Sequence, residues 1–201
     1  MMTLGIIQAR MGSTRFPGKV MAKICGIPLL SLIVQRCQRS KLVDEWVVAT
    51  TLERRDDVLC ELGVPFFRGP TENVLARFYL CAMWRNLKKS DIIVRVTADD
   101  PLRDPMLIDD CVRALLTDDS LGYYTNNPPI GSEAFSMREL DYVYHGATTY
   151  FDKEHVTPWM QRRQIVLTID TLDDLERIEK LIGNRDPVTV DYRELIGETV
   201  R

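Results

Sequence analysis

Between Leu4 and Leu116 short apolar runs alternate with stretches whose apolar residues recur at helical spacing. That alternation restricts the chain to an α/β fold, a mostly parallel central sheet with helices on both faces. The predicted strands are Leu4–Ile7, Glu45–Thr51 ("EWVVATT"), Val64–Gly69 ("VPFFRG") and Asp91–Val96 ("DIIVRV"). Between them the spacing predicts helices over Pro28–Ser40, over the "RRDDVLCELG" stretch that Gly63 stops, over Thr71–Lys89 with Thr71 as N-cap, and over Met106–Leu116. The pattern breaks near residue 120. "GYYTNNPPIGSEAFS" reads as a loop flanked by short strands, and Met137–Arg163 as helix in pieces interrupted at Pro158. Gln164–Asp170 then returns to the sheet, followed by the helix "TLDDLERIEKLIG". With 201 residues and neither repeat nor linker, one domain over 1–201 is expected.

Composition narrows the class of function. With 26 basic against 29 acidic residues the net charge is −3, so a nonspecific nucleic-acid binder is not expected. No apolar run approaches membrane-spanning length, and no signal segment opens the chain, so no membrane partner and a cytoplasmic location are expected. The five cysteines form no C-x-x-C pair and several fall on apolar helix faces, as reduced core residues do. Two histidines are a poor supply for a histidine-rich zinc site.

Chemistry concentrates in the loop after the first strand, "QARMGSTRFPGKV". Glycines there let backbone N–H groups turn toward an anion, and Arg10, Arg15 and Lys19 supply positive charge. Five residues separate Gly12 from Gly18 and Val20 follows Lys19, which excludes a Walker loop; the G-x-G-x-x-G pattern is absent too. On its own the loop reads equally as a phosphate site and as a solvated basic turn. Asp99-Asp100 follow the strand Asp91–Val96 at the carboxyl edge, where ligands bind in open α/β sheets and a carboxylate can hold Mg²⁺; a plain Asp-Pro turn stays open. Asp170 also stands between a strand and a helix, so it reads as a helix cap or as a second carboxylate converging with Asp99. Basic loop, paired carboxylates and no evident nucleophile together suggest metal-assisted transfer at a nucleotide phosphate.

Taken in order, "IIQARMGSTRFPGKV", "FRGPTENVLARF", "VRVTADDPLRDPMLID", "EHVTPWM" and "LTIDTLDDLERI" closely resemble the cytidylyltransferase family of spore-coat polysaccharide biosynthesis protein F. That family is related to the synthetases of CMP-activated Kdo and sialic acids. The resemblance runs from about Leu4 to Ile182. It implies a Rossmann-like nucleotidyltransferase domain, similar to the glycosyltransferase-A fold. It also implies a Mg²⁺-dependent reaction in which a sugar or sugar acid attacks the α-phosphate of CTP and pyrophosphate leaves.

By position in those motifs, Arg10, Arg15 and Lys19 would neutralise the triphosphate, with Ala9, Gly12 and Ser13 beside them. Arg68, Gly69 and Arg77 would lie near the nucleotide. Asp99 and Asp170 would hold the metal, and Glu133, Glu154 and His155 would face the sugar. Relatives also imply a homodimer through a sugar-side segment of about 122–163. Two departures stand out: "TADDPL" replaces the family's "TGDCPL" at Ala98 and Asp100, and "PPIGSEAFS" stands where the family has "GLDVEVFS", without its aspartate. A glycosyltransferase using a nucleotide sugar, or a non-catalytic binding partner on the same fold, are the alternatives the sequence leaves open.

Overall fold

The computed structural model describes residues 1–163 except 14, 119 and 127–131. The chain enters through β1 (Thr3–Gln8), passes the basic loop and a single 3-10 turn (Lys19–Met21), and makes a small hairpin of β2 (Lys23–Ile24) and β3 (Ile27–Pro28). The hairpin's two linking residues both have positive φ, Cys25 at 50° and Gly26 at 83°, which is the geometry of tight two-residue turns. Then follow α1 (Leu29–Cys37), β4 (Glu45–Thr51), a 3-10 segment (Arg54–Glu61), β5 (Phe66–Gly69), α2 (Val74–Trp84), β6 (Ile92–Thr97) and α3 (Pro105–Thr117). The described part closes with β7 (Tyr123–Thr125), β8 (Glu133–Ser136), α4 (Met137–Gly146), α5 (Tyr150–His155) and α6 (Pro158–Arg163).

Six strands form one sheet in the order β5-β4-β1-β6-β8-β7. The first four are mutually parallel, and β8 and β7 extend the sheet antiparallel. Successive side chains of a strand point to opposite faces, so Val47 and Ala49 pack with α2 and α4 while Trp46 and Val48 pack with α1 and α3. The strands read as near-continuous apolar runs because helices cover both faces. Among the described residues no helix is long and apolar enough to cross a membrane.

Three local expectations are corrected. Helix α2 starts later than Thr71, because Asn73 is the residue whose side chain accepts the Ala76 N–H, at 2.9 Å. It ends at Trp84, where Asn86 takes a left-handed φ of 56°. The stretch after β4 is wound as 3-10 turns, since the Asp56 carboxylate bends back to Thr51. The predicted strand Gln164–Asp170 and the helix after it lie outside the described residues.

Candidate active site

Strand order places the site. From β1 the chain proceeds through α1 to β4 on one side, while β6 pairs along the other side of β1. The loops leaving the carboxyl ends of the adjacent strands β1 and β6 therefore lie side by side at the edge where open α/β sheets bind ligands. Sheet-like pairing extends just past both strands: buried Ala9 donates to the Ala49 carbonyl and Ala98 to the Gln8 carbonyl, each at 3.2 Å. Beyond these points the two loops carry Arg10, Arg15, Lys19 and Asp99.

Met11 organises the basic loop. Its carbonyl accepts the N–H groups of both Ser13 and Gly18 at 2.9 Å, which draws the neck of the loop together. Its own N–H donates to Asp56 Oδ1 at 2.8 Å. Asp56 is 1% exposed, and its other oxygen accepts the Thr51 hydroxyl and N–H. One buried carboxylate thus ties the loop to the end of β4. The Ser13 hydroxyl accepts the Phe16 N–H at 3.3 Å, and Gly18 turns the chain with φ 71° into the 3-10 turn that begins at Lys19. Arg10 and Lys19 are half-buried and Arg15 is exposed.

Between the two loops Lys19 Nζ lies 3.0 Å from Asp99 Oδ2. Burial works to raise the Asp99 carboxyl, but the Thr97 hydroxyl and the Lys19 ammonium outweigh it and hold it below the ordinary aspartate value. Its side chain is 53% exposed, so an ionised oxygen is open to solvent beside the basic loop. Among the described residues no three His, Cys, Asp or Glu side chains form a metal cluster. A half-exposed carboxylate such as Asp99 is the kind of group that can hold Mg²⁺ together with water and phosphate. Asp170 lies outside the described residues.

The first departure from the family pattern is resolved locally. Among the described non-glycine residues only Cys25, Asn86 and Val156 have positive φ, so alanine at 98 carries no strain. The added carboxylate of Asp100 turns away from Asp99: it accepts the Leu102 N–H at 3.1 Å and pairs with Arg103 at 3.5 Å.

Arg77 is 2% exposed and donates to the carbonyls of Pro70 and Thr71 at 2.9 and 2.8 Å. Burial pulls its guanidinium down to about 10, and neighbouring Arg10 adds to that, against weaker opposition from Asp56 and Glu72. Gly69 makes room for it, because a Cβ there would stand 3.0 Å from Arg77 Cγ. Arg77 thus keeps a cation beneath the surface, within reach of the Arg10 charge. Arg68 is engaged elsewhere: its guanidinium holds the Thr51 and Glu53 carbonyls at 2.9 and 2.7 Å and pairs with Asp57.

The residues expected to face a sugar divide. Glu133 is a network centre, paired with Arg95 and accepting from Tyr123, Thr157 and Gln161 at 2.9, 2.9 and 3.0 Å. Glu154 and His155 stand half-open on α5, where the Phe151 and His155 rings lie 4.6 Å apart. Val156 follows with φ 70° and ψ −56°, a strained three-residue turn closed by the Thr157 N–H on the His155 carbonyl at 2.8 Å. Helix α5 also meets the turn before α2 through Tyr150. Glu154 and Glu72 push the Tyr150 phenol up while Arg10 acts in the opposite direction, and the Tyr150 hydroxyl lies 3.3 Å from Glu72.

Asp56, Glu72, Arg95 and Tyr150 were not singled out by the sequence. Met11 lies 45 positions from Asp56, Glu133 38 from Arg95 and Glu72 78 from Tyr150, separations at which spacing carries no signal.

Residues 4–192 match the family described as cytidylyltransferase. An uncharacterized protein of Methanocaldococcus jannaschii is 34% identical over 98% of this chain and 89% of its own length. The spore coat polysaccharide biosynthesis protein SpsF of Bacillus subtilis is 32% identical over 89% of this chain and 85% of its length. The solved structure of a cytidylyltransferase from Leptospira borgpetersenii superposes with a TM-score of 0.76 at 29% identity, covering 98% of this chain and 93% of that one.

Proposed function

The chain belongs to the cytidylyltransferase family, and on that premise we propose that it transfers CMP from CTP to a sugar or sugar acid destined for a surface polysaccharide. The observation that carries this reading is the contact of Lys19 with Asp99, which brings a phosphate-type loop and a half-exposed carboxylate together at the carboxyl edge of the sheet.

In this reading Arg10, Arg15 and Lys19 receive the triphosphate, with Ala9, Gly12 and Ser13 lining its path. Arg77 lends buried charge within reach of Arg10, and Gly69 leaves it the space. The acceptor oxygen bonds to the α-phosphorus as the bond to the β-phosphate oxygen breaks, and pyrophosphate leaves with that electron pair. The acceptor's proton passes to solvent. Lys19 and Arg10 hold the departing charge, so positioning and charge stabilisation do the work and no covalent enzyme intermediate is needed. Asp99 and Asp170 would hold Mg²⁺, which when bound supplies further positive charge at the phosphates. Arg68 serves the site by fixing the turn after β4, and Glu133 by fixing α6 and the approach to it against the sheet. Glu154 and His155 remain open toward the acceptor. The same reading includes a homodimer through the segment of about 122–163, where Tyr142, Tyr150 and Phe151 are exposed.

The test is incubation with CTP, Mg²⁺ and a panel of sugars, sugar acids and sugar phosphates, following pyrophosphate. Release with at least one acceptor is expected. No release with any, and no binding of CTP, would refute the proposal.

A further inference from the structure

Gly12 has no conformational need to be glycine. It is absent from the glycines with positive φ, which among the described residues are Gly18, Gly26 and Gly63. What it provides is space. A Cβ at Gly12 would stand 2.8 Å from Nη2 and 3.0 Å from Cζ of Arg55, so that guanidinium lies directly against the backbone of the basic loop. Arg55 comes from the same 3-10 segment as Asp56, whose carboxylate holds the neighbouring Met11 N–H. The two adjacent residues thus join one turn to one loop, Asp56 as a buried tether and Arg55 as a cation on the rim. The Arg55 side chain is 59% exposed and is held by an ion pair with Glu53. A half-exposed pair of this kind is worth little in water and yields readily to a more highly charged anion.

We propose that Arg55 is a fourth phosphate-binding side chain of this loop, seated on Gly12 and exchanging Glu53 for a phosphate of the bound nucleotide. The planar fork of arginine suits phosphate oxygens, and at this position it complements Arg10, Arg15 and Lys19 from the outer side of the loop. The inference rests on the reading of the loop as a nucleotide triphosphate site.

The experiment titrates inorganic triphosphate and CTP by calorimetry into the wild-type protein, Arg55→Gln and Arg10→Gln. Arg55→Gln is expected to bind inorganic triphosphate about tenfold more weakly, the loss of one charge-assisted contact, with an unchanged urea midpoint. Gly12→Ala should weaken it comparably by displacing the guanidinium, and should add little in the Arg55→Gln background. If Arg10→Gln weakens binding and Arg55→Gln does not, the proposal is overturned and the phosphate site stands. If Gly12→Ala costs the same with and without Arg55, the seating on Gly12 is wrong. Inorganic triphosphate binding that depends on Arg55, without tighter binding of CTP, would keep this inference and refute the CTP reading. No binding of either ligand would overturn both.

Discussion

At the scale of single residues, the site is an arrangement of charges that do not cancel. Arg77 carries its charge beneath the surface with carbonyls rather than a carboxylate as hydrogen-bond partners, and burial lowers its guanidinium to about 10. Such a cation is destabilising until an anion arrives. Asp99 is the opposite case, a carboxylate kept ionised by Thr97 and Lys19 while half open to water. Because the Lys19–Asp99 pair is exposed, Asp99→Asn should alter stability by less than about 1 kcal/mol. It should nevertheless lower metal-dependent pyrophosphate release on the order of 100-fold, the scale of losing an electrostatic stabiliser at a phosphoryl centre. Urea unfolding and a pyrophosphate assay across metal concentrations separate these effects; undiminished turnover would remove Asp99 from the site.

At the scale of elements, β1 is the strand the others depend on, and its close packing against β4 leaves a definite mark. Gly5 pairs with Trp46, and a Cβ on Gly5 would approach the indole Cε3 to 2.1 Å. Trp46 is itself in the core, so it has little room to give way. Gly5→Ala should therefore cost about 1–3 kcal/mol or more by overpacking, read as a fall in the guanidinium midpoint; an unchanged midpoint would mean the indole relocates freely. The strands β1, β4, β5 and β6 and helices α1 and α3 were legible within a few residues, because period and β-branched composition are local properties. The start of α2 was misread, since Thr71 and Asn73 are both good caps. The choice between them is made where Arg77 takes the Thr71 carbonyl and the Asn73 side chain meets Ala76. The 3-10 winding after β4 was likewise invisible, because it follows from the reach of Asp56 to Met11 and Thr51.

At the scale of the whole molecule, the network around Glu133 fastens the antiparallel end of the sheet to the last described helix. Arg95 on β6, Tyr123 on β7, Thr157 before α6 and Gln161 within it all converge on one carboxylate of β8. Burial pushes that carboxyl up, yet Arg95, Thr157 and Tyr123 hold it below the ordinary glutamate value. A folded-state value below the unfolded one means stability that is complete above the unfolded value and lost as pH falls through the folded one. Wild-type protein should thus lose stability as pH falls below the ordinary glutamate value of about 4.3 and through the lower folded one. Glu133→Gln should start less stable at neutral pH, by about 3–5 kcal/mol for breaking a buried pair, and show a flatter acid profile. Parallel profiles in chemical denaturation would deny Glu133 this role.

The sequence by itself determined the α/β class, the order of the first strands and helices, and the two loops where chemistry gathers. All of these rest on hydrophobic period, turn residues and motifs that lie within a few positions of one another. The tertiary structure alone decided what each charge does. It put Lys19 on Asp99 across 80 positions, turned Asp100 toward Arg103, and committed Arg68 and Glu133 to holding the frame. It also laid Arg55 over Gly12. The reason is physical: a charged side chain's role depends on which partners and how much water surround it. Both are settled only when the sheet brings distant loops to one edge.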